Sequence, residues 1–141
     1  MAITPIQRML VQRTFAQAAT KADAVIEILF NRLIELDPAS KPLFAGLQHS
    51  QRRKVMQTLA IIVNSLNKPD VLIPLMESLG KQHVSYGVEE CHYALFGKAW
   101  LWTLEKSLGR TFTPDARESW RSVYHQLSQL AIKEAYPDGR A

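Results

Sequence analysis

The chain has 141 residues, of which 47% are apolar and 21% are charged, and its formal net charge at pH 7 is +4. This length and composition predict a single globular domain over residues 1–141 and argue against intrinsic disorder. No segment resembles the apolar stretch of a secretory signal or a membrane helix of roughly 18 apolar residues, so we expect a cytoplasmic protein that does not bind membranes.

Proline placement predicts where helices begin. Thr4-Pro5, Asp37-Pro38 and Thr113-Pro114 each place a capping side chain before a proline, whose missing amide does no harm at the first helical position. Pro69 marks a further start, and Gly109 is typical of a helix end. These marks divide the chain into segments of helical length.

Within these segments, apolar residues recur every three or four positions, the spacing of helices with one buried face. No run alternates with period two for long enough to predict a strand. We therefore predict an all-α protein with six or seven helices, and we expect residues 137–141 to fray. The predicted helices cover residues 5–19, 22–36, 39–44, 51–66, 70–85, 89–108 and 114–135. This spacing alone fits any helical bundle.

The usual signatures of enzyme sites are missing from the sequence. It has no glycine-rich phosphate loop, no nucleophile elbow and no HExxH motif. Cys91 is the sole cysteine and cannot form an intrachain disulfide. The cationic run of Arg52, Arg53 and Lys54 is typical of a solvated helix face, so we expect no nucleic-acid partner.

The remaining candidates for chemistry are the four histidines, His49, His83, His92 and His125. Polar surroundings predict that His49 and His125 are exposed. The position of His92 at a helix start predicts a packing role. His83 differs, because Leu79 lies four residues before it on the same helix face and Val88 follows it closely. Its imidazole is therefore predicted near a helix C-terminus between apolar side chains, as either a core or surface histidine or a metal ligand.

Three blocks of sequence resemble those of the globin family. The segment LGKQHVSYGVEECHY (79–93) is similar to the proximal haem-ligand segment of single-domain bacterial haemoglobins, of the globin portion of flavohaemoglobins and of neuroglobins. The segments LDPASKPLF (36–44) and SQRRKVMQ (50–57) resemble the turn before the distal helix and the start of that helix. The resemblance runs from about Phe15 to Tyr136 and implies a globin fold around a pocket for haem b.

The resemblance implies roles for residues on both sides of the haem. His83 corresponds to the proximal iron ligand, and Phe44 packs on the porphyrin. Gln51 takes the distal position, and Val55, one helical turn later, closes the pocket. Phe30 lines the distal side from the second helix.

A second set of residues would complete the pocket. Tyr93 lies behind the proximal histidine, where its hydroxyl can meet the imidazole, and Phe96 falls on the same inner face. Leu79 and Val88 supply apolar surface for the flat macrocycle. Lys54, with its neighbouring arginines, would meet the haem propionates at the pocket mouth, although a merely solvated face remains an alternative.

The sequence differs from these relatives at two positions. Many related bacterial globins carry tyrosine where Phe30 stands, so the distal side lacks that hydroxyl donor. Flavohaemoglobins carry a glutamate on the last helix that pairs with the tyrosine behind the proximal histidine, but an ungapped register places Ala135 there. Glu134 is turned from that direction by about 100°. We therefore expect no well-formed proximal carboxylate network and less of the electron donation that favours peroxidase-like chemistry.

The resemblance predicts reversible binding of diatomic gases, namely oxygen, nitric oxide and carbon monoxide, for storage, delivery or buffering. The amide of Gln51 can donate to an oxygen ligand, which takes on negative charge. A hydrogen bond to a charged partner is worth roughly 1.5–3 kcal/mol, so such a donor would change the oxygen dissociation rate by about one to two decades.

Three alternatives remain open. A nitric oxide dioxygenase would need a separate reductase, because a chain of this length has no room for a flavin domain of its own. A haem-based gas sensor would need a signalling partner. A haem-free helical interaction module would leave His83 and Gln51 as ordinary surface residues.

Overall fold

The computed structural model describes residues 2–85 and 88–135, and this part of the chain consists of α-helices joined by short turns, without a strand. The all-α prediction is confirmed. The helices are α1 (Pro5–Ala19), α2 (Ala22–Leu36), α3 (Lys41–Ala45), α4 (His49–Asn64), α5 (Pro69–Ser85), α6 (Glu90–Leu108) and α7 (Pro114–Ala135). Short 3₁₀ turns at Pro38–Ser40 and Gly109–Thr111 precede α3 and α7. The predicted fraying of 137–141 lies outside the described residues.

The capping side chains predicted from the sequence act as caps. The hydroxyl of Thr4 accepts a hydrogen bond from the amide of Gln7 at 3.1 Å, and that of Thr113 accepts from the amide of Ala116 at 3.1 Å. Asp37 caps the 3₁₀ turn before α3 in the same way. Each cap satisfies an amide that has no partner within its helix, which explains why the elements begin at these positions.

Four predicted elements have different bounds in the structure, and two of them, α5 and α6, differ by only one residue at their start. The predicted helix over 51–66 begins two residues earlier and ends two residues earlier, as α4. Its start is fixed by Gln51, whose side-chain oxygen accepts a hydrogen bond from the backbone amide of Gln48 at 2.7 Å. The predicted helix over 39–44 is divided between a 3₁₀ turn and α3.

The core lies where α1, α2, α6 and α7 pack together. Trp100 and Trp120 are almost fully buried there, with their ring centres 5.6 Å apart, and both rings lie near Phe15. The indole nitrogen of Trp120 donates to the hydroxyl of Thr14 at 2.7 Å, so this polar atom is satisfied inside the core. This core joins the first two helices of the chain to the last two.

Close backbone packing fixes α5 against α7. A β-carbon added at Gly80 would overlap the backbone carbonyl of Ala131 on α7. Glycine at this position therefore allows the two helices to approach more closely than any other residue would. The contact determines where the last turn of α5, which carries His83, lies relative to the core.

No helix in the described ranges is both long enough and apolar enough to cross a membrane.

Candidate cofactor site

His83 and Tyr93 form a hydrogen-bonded pair between α5 and α6, which we call the proximal pair. His83 lies in the last turn of α5 and is half-buried, and Tyr93 is 8% exposed. Nδ1 of the imidazole lies 3.1 Å from the hydroxyl oxygen of Tyr93. When Nδ1 donates its hydrogen to this oxygen, the lone pair of Nε2 is left for a metal ion.

The surroundings of His83 favour a neutral imidazole. Burial lowers the pKa of His83 below its ordinary value of 6.5, because removal of water disfavours the charged ring. A neutral ring with one hydrogen on Nδ1 is the form that coordinates a metal. Protonation state and hydrogen bonding are therefore both suited to coordination through Nε2.

Tyr124 on α7 supports the proximal pair from behind. Its hydroxyl donates to the backbone carbonyl of Tyr93 at 2.7 Å, and its ring stacks on Phe96 with ring centres 6.0 Å apart. Burial raises the pKa of Tyr124 well above its ordinary value, so the hydroxyl keeps its hydrogen. Gly97 leaves room for this ring, because an added β-carbon would lie 2.7 Å from it. Sequence reasoning missed this role of Tyr124.

A second group of residues, which we call the distal cluster, consists of Phe30, Phe44 and Arg52. Phe30 is 2% exposed, and the ring of the half-buried Phe44 meets it edge to face with ring centres 5.8 Å apart. The guanidinium carbon of Arg52 lies 4.7 Å from the centre of the Phe30 ring. The structure thus brings together two of the predicted pocket residues and adds a cation to them.

Arg52 was predicted to lie on a solvated helix face, and the structure corrects this for one member of the cationic run. Its guanidinium is turned inward, and Nη2 donates to the backbone carbonyl of Phe44 at 3.3 Å. The helical period could have indicated this position, because Arg52 precedes the half-buried Val55 and the buried Met56 by three and four residues. Arg53 and Lys54 are exposed as expected.

Gln51 is exposed at the start of α4. Its amide oxygen caps the helix through the Gln48 amide, which leaves Nε2 as the end that can act as a donor toward a ligand. Lys54 is exposed on the first turns of the same helix, where the propionate contact remains a prediction.

The other predicted pocket residues are half-buried and pack against the core: Val55, Leu79, Val88 and Phe96. His49 and His125 are exposed, as predicted, and Nδ1 of His92 accepts a hydrogen bond from the backbone amide of Glu89 at 2.8 Å as a helix cap. The side chains of Glu134 and Ala135 lie outside the described part, so the missing carboxylate network stays a prediction.

Helix α4, which carries Arg52, and helix α5, which carries His83, pack against different helices. Helix α4 packs against α1 and α2, whereas α5 packs against α7, and in the described ranges α4 and α5 make no extensive contact with each other.

The chemistry of the available donors fits a haem better than an isolated metal ion. The described residues contain no group of three histidine, cysteine, aspartate or glutamate side chains that could hold a metal ion. An iron ion on His83 would therefore need its remaining ligands from elsewhere, and a porphyrin supplies four nitrogens. The buried Nε of Arg52 has no hydrogen-bond partner, which is consistent with a polar ligand nearby.

The chain is similar to known proteins over most of its length. The sequence model of the globin family matches residues 27–130. The chain is 30% identical over 133 residues to a flavohemoprotein of Bordetella parapertussis, an alignment that covers 92% of this chain and 33% of that protein. It is 32% identical over 113 residues to neuroglobin of Danio rerio, covering 69% of this chain and 70% of neuroglobin.

The chain spans about a third of the length of the flavohemoproteins it matches. The family match covers well over half of this chain, from the middle of α2 to near the end of α7. The chain belongs to the globin family.

Proposed function

We propose that this chain holds haem b through Nε2 of His83 and binds diatomic gases reversibly. The observation that carries the proposal is the proximal pair, in which Tyr93 holds Nδ1 of a half-buried imidazole at 3.1 Å. A haem held there supplies an iron atom with a coordination position for oxygen, nitric oxide or carbon monoxide.

The protein would position the haem and exclude water from it. The hydrogen bond between Nδ1 and the Tyr93 hydroxyl fixes the orientation of the imidazole, and with Nδ1 as the donor it would leave Nε2 free for the iron. Phe30 and Phe44 present aromatic surface on the distal side, and Val55, Leu79 and Val88 add aliphatic surface. Apolar surface of this kind contributes roughly 25 cal/mol per Å² that is removed from water.

Membership in the globin family and the similarity to flavohemoproteins and neuroglobin support this proposal. The similarity to flavohemoproteins also favours a second candidate, in which the chain oxidises nitric oxide with an external reductase. The phenylalanine at position 30 offers no hydroxyl donor on the distal side, so reversible binding remains our first proposal.

The test is titration of the purified protein with hemin, followed by spectra of the ferric, ferrous and carbon monoxide forms. We expect one haem per chain and an intense Soret band. His83→Ala should lose the haem readily, whereas His125→Ala, which changes an exposed histidine on α7, should retain it. A normal ferrous spectrum in His83→Ala would reject the assignment of the iron ligand.

The two candidate functions differ in turnover. The nitric oxide dioxygenase candidate predicts that the oxygenated protein consumes nitric oxide repeatedly when a cell extract supplies electrons. A single stoichiometric reaction without re-reduction would favour reversible gas binding.

A further inference from the structure

A cavity of about 650 Å³ lies between α6 and α7. Ala94, Gly97 and Leu101 line it from α6, and Ser128 and Ile132 line it from α7. The space exists because two of these positions on α6 carry the smallest side chains. Its volume lies within the range of about 300–1,000 Å³ that is usual for small-molecule sites. The described lining contains no residue of the distal cluster, so this cavity is separate from it.

Trp100, which also lines the cavity, has a polar group without a partner. Its side chain is 1% exposed, and its buried indole N–H has no hydrogen-bond acceptor. The other indole of the core, that of Trp120, donates to Thr14 at 2.7 Å. Buried indole nitrogens usually have an acceptor, and leaving the bond unmade is costly. A ligand in the cavity that carries an acceptor atom would supply the missing bond.

Two cations lie at one end of the cavity. Arg117 pairs with Glu105 at 2.6 Å, which sets the antiparallel register of α7 against α6. One turn further along α7, Arg121 therefore lies opposite the turn of α6 that begins at Lys98, and both residues line the cavity. The same turn of α6 carries Trp100, so the unpaired N–H belongs to the cationic end.

The charges along the cavity favour a ligand with a negative head group. Lys98 is exposed and has no acidic partner in the part of the chain that the structure describes. Glu90, the acidic residue of the described lining, lies in the first turn of α6, two turns away from Lys98. An anionic group would therefore bind at the Lys98 end rather than at the Glu90 end.

Aromatic side chains make the cavity suited to a flat ligand. Tyr93, Trp100 and Tyr124 are among the lining residues. The ring of Tyr124 is fixed in place, because it stacks on Phe96 and its hydroxyl donates to the Tyr93 carbonyl. A rigid ring of this kind binds another aromatic ring in an offset or edge-to-face arrangement.

We propose that the cavity between α6 and α7 is a binding site for a small aromatic carboxylate. The carboxylate accepts the hydrogen bond of the Trp100 indole and lies near Lys98 and Arg121. The aromatic part of the ligand lies against Tyr124 and the aliphatic residues of the lining. The site does not depend on the proposed function, because it uses neither the iron nor the distal cluster.

The experiment measures binding of naphthoate to the haem-loaded protein in its ferrous carbon monoxide form, in which neither the haem pocket nor the iron is open to the probe. Equilibrium dialysis gives the stoichiometry and the dissociation constant. Nitrogen–proton NMR spectra follow the indole signals of the three tryptophans, and the Trp100 signal is identified by its absence in Trp100→Phe. Naphthylmethanol, which is neutral, is the matched probe. If the chain takes up no haem, the same variants are compared in the haem-free protein.

We expect one naphthoate per chain, with a dissociation constant below about 1 mM, and a shift of the Trp100 indole signal. Ala94→Leu fills the cavity from an exposed position and should weaken binding about tenfold or more. Lys98→Gln should weaken it by about three- to fivefold, since this cation is exposed. Naphthylmethanol should bind more weakly by a similar factor. The matched controls, Ala16→Leu on α1 and Lys106→Gln on α6, change exposed residues outside the lining and should stay within twofold.

The inference is overturned by the absence of saturable binding, or by equal affinity for naphthoate and naphthylmethanol. It is also overturned if Ala94→Leu binds naphthoate as the parent protein does, or if naphthoate leaves the Trp100 signal in place. If Trp100→Phe does not fold, the affinities of the Ala94→Leu and Lys98→Gln variants decide the question, because both positions are exposed.

Discussion

The hydroxyl oxygen of Tyr93 lies 3.1 Å from Nδ1 of His83, and it joins the last turn of α5 to the first turn of α6. Tyr93 is in turn held through its carbonyl by Tyr124 on α7. The candidate iron ligand is thus positioned by residues of two other helices, and the orientation of its imidazole depends on the packing of α6 and α7.

Tyr93→Phe tests the role of this hydroxyl. We expect the variant to bind haem, but to lose it about tenfold faster or more, because the imidazole is no longer held in one tautomer and orientation. The iron–histidine stretching frequency of the ferrous form should fall, since Nδ1 donates less strongly. Resonance Raman spectra and transfer of haem to an acceptor protein measure the two effects. Identical values in both proteins would show that the hydroxyl does not act on the ligand.

Gln51→Leu separates two roles of one side chain. Loss of the cap on the Gln48 amide should lower the free energy of unfolding by about 0.5–1 kcal/mol. If Nε2 also donates to the ligand, oxygen should dissociate faster while carbon monoxide release changes much less, because bound carbon monoxide carries less charge. Stopped-flow kinetics measure both rates. Gln57→Leu, an exposed change on the same helix, is the control, and equal effects on both gases would mean that Gln51 acts by bulk alone.

Gly80→Ala should destabilise the protein by roughly 1–3 kcal/mol or more, because the new methyl group overlaps the Ala131 carbonyl and forces α5 away from α7. Gly46→Ala is the matched control, since its β-carbon meets nothing within 4 Å and its φ is −79°. That change should be neutral or stabilise the fold by up to about 1 kcal/mol. Denaturant unfolding of the haem-free proteins gives both values. Equal stability of the two variants would contradict the close packing described for α5 and α7.

Tyr124→Phe should alter the dependence of stability on alkaline pH. The folded protein raises the pKa of Tyr124 above its ordinary value of 10.0, so the unfolded chain releases this proton first. The resulting stability is fully present below pH 10 and is lost as the pH rises further. At neutral pH the variant should be less stable by about 0.5–1.5 kcal/mol, since the hydrogen bond to Tyr93 is absent.

Above pH 10 the difference in unfolding free energy between Tyr124→Phe and the parent protein should shrink. Urea unfolding at pH 7 and at several pH values above 10 measures this difference. The other tyrosines are common to both proteins, so their ionisation cancels in the comparison. A constant difference across this range would show that burial of the hydroxyl does not perturb its ionisation.

Helix positions could be predicted well from the sequence because their signals are local. Pro5 and Pro114 follow capping threonines, and the predicted bounds of α1, α2 and α7 agree with the structure. The predicted bounds of α4 were wrong by two residues at each end, and the error at its start arose because glutamine is a less common cap and Gln51 reaches back to Gln48.

The candidate site could be predicted only in part. The sequence singled out His83 through its apolar neighbours and, by resemblance, placed Tyr93 behind it, and the structure brings these two together. Composition did not separate Arg52 from Arg53 and Lys54, and only its helical spacing to Val55 and Met56 could have distinguished it. The inward turn of Arg52 depends on its contacts with Phe30 on α2 and with Phe44 on α3. Neither residue belongs to the helix that carries Arg52.

By itself the sequence determined the helices and their apolar faces, since these depend on residues within a few turns of one another. Only the tertiary structure decided which polar atoms meet, such as Tyr93 with His83, or Tyr124 with the Tyr93 carbonyl. Hydrogen bonds act over about 3 Å, whereas the helices that carry these atoms are arranged by packing of the whole core.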